Sequence, residues 1–66
     1  MPKLTLTPRE LEVLDLIARG NTSQQIGASL GITKRTVNAH AASVVHKLAA
    51  SNRTNAAAIA VRLGLI

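Results

Sequence analysis

Lys34, Arg35 and Lys47 place three cations in the middle of the chain, and between them stands Asn38, a carboxamide able to donate and accept at once. Such cations hold phosphate oxygens by displacing the counterions of a nucleic acid, a contact that fixes position and carries no sequence information. A carboxamide on an outward face can make the paired hydrogen bonds that single out adenine, and Ala39 or Ala42 can lie against a thymine methyl. The N–H groups around residues 33–36, at a helix start, offer a further phosphate seat. The chemistry on offer is recognition, with an A·T-containing half-site the expected preference.

Reaction chemistry is hard to assemble from this sequence. The only carboxylates, Glu10, Glu12 and Asp15, sit together near the start, no glycine-rich phosphate loop is present, and 66 residues leave no room for a deep pocket, so an enzyme is not expected. His40 and His46 stand six residues apart on one helix and do not share a face, and with no cysteine or nearby carboxylate they complete no metal set. The lack of cysteine also excludes a disulfide framework and a zinc finger. No cofactor is expected.

Charge points the same way. After Asp15 the chain carries six bases (Arg19, Lys34, Arg35, Lys47, Arg53 and Arg62) and no acid, a one-signed surface suited to a polyanion. A soluble basic domain with no such partner fits the charge alone as well. No apolar run approaches a membrane span and no apolar signal region opens the chain, so a cytoplasmic protein without membrane contact is expected. The two Asn-X-Ser/Thr matches at Asn21 and Asn52 read as helix caps.

The candidate residues must be positioned by helices, because the core can draw only on Leu, Ile, Val and Ala with no aromatic residue available. Residues 1–6 read as a lead-in or linker end, with Leu4 or Leu6 tucked inward, and 7–66 as one domain. Thr7-Pro8-Arg9-Glu10 predicts a capped helix start, followed by a stripe of Leu11, Leu14, Ile17 and Ala18 and a stop at Gly20. Thr22 with Gln25 predicts a second capped start, and Gly27 suggests a close neighbour. Leu30-Gly31-Ile32-Thr33 stops one helix and starts the next at once, which fixes the angle between them.

Beyond that turn, Val37, Ala41, Val44 and Leu48 recur on one inward face of a third helix over about 34–49, with no glycine or proline to set its end. The opposite face carries Arg35, Asn38, Ala39, Ala42 and His46, flanked by Thr36, His40, Ser43 and Lys47. Asn52 caps a fourth helix whose inward face reads as Ala56, Ile59, Ala60 and Leu63. Ala57, Val61 and Leu65 remain on a second apolar face, either wedged in a core or shared with another subunit. The fold class predicted is all-α, a four-helix bundle with a central helix-turn-helix.

The order and spacing of Leu6-Thr7-Pro8-Arg9-Glu10, Val13-Leu14, Ile26, Leu30-Gly31-Ile32-Thr33, Thr36-Val37, His40, Lys47-Leu48 and Asn52-Arg53-Thr54 with Ala56 resemble the LuxR-type helix-turn-helix domain of bacterial response regulators and quorum-sensing activators. The resemblance implies a third helix in the major groove of double-stranded DNA and a fourth that pairs two domains on a two-fold site. Asn38, Ala39, Ala42 and Arg35 then fall where base edges are read, and Thr33, Lys34, Thr36, His40, Ser43 and Lys47 where phosphates are held. Ala57, Val61 and Leu65 fall on the pairing face. Arg35 suits a phosphate equally well, and His40 a packing role.

This chain departs from the family's habit of Lys or Arg at positions 38, 42 and 46, Ala at 27 and Glu at 55. Two other functions remain open: a sigma-factor region four, which also engages RNA polymerase but normally ends soon after its recognition helix, and a small helical protein-interaction module.

Overall fold

The computed structural model describes residues 6–66, and Leu4 lies outside them. It holds α1 (Pro8–Ala18), α2 (Ser23–Leu30), α3 (Lys34–Lys47) and α4 (Arg53–Arg62), with no strand among the described residues. Each helix begins on a side chain that accepts from its third N–H: Thr7 from Glu10, Thr22 from Gln25, Thr33 from Thr36 and Asn52 from Asn55. Glu10 and Gln25 return the bond to the cap's own N–H at 2.8 Å, completing two capping boxes. Asn55, too short to do the same, reaches one residue further back and accepts from Ser51 N–H at 3.0 Å.

The turn between α2 and α3 closes on Gly27. Its carbonyl accepts from the N–H groups of both Gly31, the left-handed cap at φ 71°, and Ile32. A Cβ built on Gly27 would stand 2.6 Å from the Ile32 carbonyl oxygen, so the close neighbour is the backbone of the turn itself. At the end of α3, where the sequence carries no stop residue, Ala49 takes the left-handed conformation at φ 52°. Its N–H bonds His46 and that of Ala50 bonds Val45, a Schellman closure built on alanine.

Two apolar clusters meet along α1. Leu14 packs with Val44, Leu48, Ala56, Ala57 and Ala60, and Leu6 covers this group from outside; Val13 packs with Ile26 and Val37. The inward stripe of α1 is therefore Glu10, Val13, Leu14 and Ile17, whereas Leu11 is half-buried and Ala18 exposed. The expected stripe of Leu11, Leu14, Ile17 and Ala18 is rotated because α1 must serve α2, α3 and α4 together. The same holds for α4: Ala57 turns into the core and Leu63 is 54% exposed, since the close approach to α1 selects methyl groups and leaves no space for a leucine.

Candidate nucleic-acid interface

The packing sorts α3 into four rows. Val37, Ala41, Val44 and Leu48 face inward, while Arg35, Ala39, Ala42 and His46 form an unbroken exposed row along the opposite side. Of the residues expected on that outer face, Arg35, Ala39 and Ala42 stand there; Asn38 is half-buried on the flank toward α2 and α4. Half-buried His40, Ser43 and Lys47 follow exposed Thr36 down the other flank.

On the α1 flank, Ser43 Oγ donates to Glu10 Oε2 at 2.6 Å and Lys47 Nζ donates to Glu10 Oε1 at 2.8 Å. Burial pushes the Glu10 carboxyl up. Hydrogen bonds from Lys47, Ser43 and the Thr7 amide, together with the Lys47 charge, outweigh it and lower the pKa from 4.5 to about 2. Ser43 and Lys47, both expected on phosphate, thus have a structural engagement. The Ser43 proton is directed inward, while the Lys47 side chain, 33% exposed, faces both the carboxylate and solvent. From sequence Glu10 read as a cap and a favourable charge at its own helix start, because no local spacing reports a contact made across more than thirty residues.

On the other flank three side chains from three elements close a ring. Ser23 Oγ donates to Asn38 Oδ1 at 2.7 Å, Arg53 Nη2 donates to the same oxygen at 3.0 Å, and Arg53 Nη1 donates to Ser23 Oγ. The paired recognition of adenine needs that carboxamide oxygen as an acceptor toward the base. It is already doubly occupied, so the expected Asn38 pair with adenine is not available in this arrangement. From the sequence Arg53 was one of the six bases and part of the Asn52-Arg53-Thr54 piece at the fourth-helix start, and neither it nor Ser23 was given a contact with Asn38.

The start of α3 carries the open charge. Glu12 pairs with Arg9 at 3.5 Å, Asp15 with Arg19 at 3.2 Å and Glu10 with Lys47, so each acid has a cation, and among the described residues Lys34 and Arg35 have no acid partner. Thr33 accepts from the Thr36 N–H and donates to Thr36 Oγ1 at 2.9 Å, which leaves the Thr36 hydroxyl as the donor facing out. His46 closes the exposed row at the far end. It shares the face of Arg35, Ala39 and Ala42, where the sequence pattern placed it.

On the expected pairing face, Val61 is 58% and Leu65 36% exposed, but Ala57 is a core residue. With Ile17, Ala18, Thr54, Ala58 and Val61 it lines a shallow groove of about 230 Å³ between α1 and α4. Among the described residues no group of His, Asp or Glu could hold a metal ion, and no helix is long and apolar enough to cross a membrane.

A glycine-stopped turn, a third helix with one bare side and a cationic start define a helix-turn-helix DNA-binding domain. The chain belongs to the luxR family of bacterial regulatory proteins, whose family model matches residues 4–60. It is 47% identical over its full length to the transcriptional regulatory protein LiaR of Bacillus subtilis, of which it covers 31%. It is 51% identical over 92% of its length to the quorum sensing-dependent transcriptional regulator RpaR of Rhodopseudomonas palustris, of which it covers 25%. The chain thus spans less than a third of these relatives. The solved structure of the transcription factor GerE superposes with a TM-score of 0.85 at 33% identity, covering 96% of this chain and 92% of that one.

Proposed function

We propose that this chain is the output unit of a cytoplasmic bacterial transcriptional regulator, binding double-stranded DNA with α3 in the major groove and pairing with a second copy through α4 on a two-fold site. The observation that carries the reading is the unbroken exposed row Arg35, Ala39, Ala42 and His46 on a helix tied down along both flanks. A helix of this length, about 21 Å, fits the groove, and small central residues let its backbone come close to the bases. Lys34 and Arg35, without acid partners among the described residues, and the hydroxyl of Thr36 lie at the cationic end, where phosphates would be held with help from His40. Lys47 reaches phosphate only from its exposed side, and Arg35 adds a base contact at the first turn.

Pairing rests on Val61 and Leu65, with Ala57 as the floor of the groove beside them. RpaR is a quorum sensing-dependent transcriptional regulator, which supports regulation of this unit by a signal. A sigma-type role at RNA polymerase is disfavoured by α4, a complete capped helix packed into the core after α3.

Fluorescence anisotropy with labelled duplex tests both parts. Binding to random duplex should weaken steeply with salt, with a logarithmic slope of about −2 to −3 per domain for two to three neutralised phosphates. Val61→Glu should weaken binding to a two-half-site duplex and leave a single half-site unchanged. Binding indifferent to salt would overturn the DNA reading in favour of a protein-interaction module, and equal loss on both duplexes would overturn the pairing.

A further inference from the structure

The ring of Ser23, Asn38 and Arg53 has a consequence for which base is read, resting on the proposal that α3 enters the major groove. Both donors converge on Asn38 Oδ1, and Arg53 can only donate, so the orientation of the carboxamide is fixed by chemistry. Among the described residues Asn38 Nδ2 has no hydrogen-bond partner. Because no buried side-chain nitrogen or oxygen among the described residues lacks a partner, that nitrogen is open to solvent. Half-buried Asn38 immediately precedes exposed Ala39 and lies one turn before exposed Ala42, so it borders the exposed row.

We infer that Asn38 acts as a donor-only reader selecting guanine, and that Ser23 and Arg53 are positioning residues that set this specificity from outside the reading face. A carboxamide presenting both of its ends matches adenine, which offers an acceptor at N7 beside a donor at N6. A carboxamide presenting only N–H groups can still donate to N7 of adenine but meets a donor at N6, so one of the two bonds is lost. Guanine offers acceptors at both N7 and O6, so the same N–H groups find partners on either atom. The preference for an A·T step that the residue type alone suggests is thereby reversed at this one base. Arg53 comes from α4 and Ser23 from α2, so side chains on two helices outside the groove determine what the third one reads.

Selection of bound sequences from random duplex tests this with wild type, Asn38→Ala, and the pair Ser23→Ala with Arg53→Met. Asn38→Ala should flatten one base position, and that position should carry guanine in the wild type. Removing both donors lets the carboxamide turn. Adenine should then gain on guanine by about fivefold at that position, with the other positions unchanged. Circular dichroism confirms that the double variant is folded; should it not be, Ser23→Ala alone should still shift the ratio toward adenine. Adenine at that position in the wild type, no position altered by Asn38→Ala, or guanine retained without the two donors would each overturn the inference while leaving DNA binding in place. Failure of the wild type to bind any duplex at low salt would sink the proposed function itself, and this inference with it.

Discussion

The two flanks of α3 are held by polar clusters of opposite design. Toward α1 a buried carboxylate, Glu10, gathers a serine, a lysine and a backbone amide; toward α2 and α4 a half-buried arginine gathers two neutral side chains. A buried anion with one cation is costly to leave unpaired. A partly hydrated guanidinium bonded to neutral oxygens is not, since water can replace its partners. The first flank therefore carries stability, while the second carries orientation.

The strongest way to break that division is Glu10→Ala, which removes a cap, a charge and the partner of two donors. We expect a loss of about 3 kcal/mol in urea denaturation, below the figure for a fully buried pair because Lys47 can rehydrate. A domain this small holds little more than that in reserve, so circular dichroism should show a largely unfolded variant. A cost under about 1 kcal/mol would mean that the carboxylate is dispensable.

Acid should act on the same flank alone. Because the Glu10 pKa is lowered from 4.5 to about 2 in the folded chain, its contribution is fully present above the unfolded value and is lost as pH falls through the folded one. Between pH 4.5 and 2 the wild type should lose on the order of 3 kcal/mol. Glu10→Gln, already without the charge, should show a much flatter profile across that range in pH-dependent denaturation.

Arg53→Met sharpens the comparison from the other side. Its thermal unfolding should shift by no more than about 1 kcal/mol, because the bonds broken can be remade to water. A loss as large as that of Glu10→Ala would erase the distinction between the flanks. The smallest effect should come from Ala49→Gly, which touches neither cluster. Relieving a methyl group from the left-handed conformation at φ 52° should stabilise the chain by about 0.5–1 kcal/mol. A destabilisation there would show that the end of α3 depends on that methyl group for packing.

How much of this could be read beforehand follows the range of the interactions. The four caps, the stop at Gly31 and the inward row of α3 were legible because each depends on residues within one or two turns. The inward faces of α1 and α4 were misjudged, since a helix such as α4, with alanine at 56, 57, 58 and 60, is apolar nearly all round and its neighbours choose the side. Val61 and Leu65 stand exposed where the second face was expected, but Ala57 does not. Asn38 was expected on the outer face and stands half-buried on its flank. That Arg53 would close over its oxygen was not legible, because nothing in the fourteen residues between them signals the encounter.

The bare row of α3 contributes nothing to the bonds that fasten this helix, and two of its four members end at Cβ. Ala39 and Ala42 are accordingly vacant lettering on a plate already bolted in place. If α3 reads the groove as proposed, larger or charged side chains written there, by mutation or by selection, would rewrite the target sequence without asking the rest of the molecule to fold again.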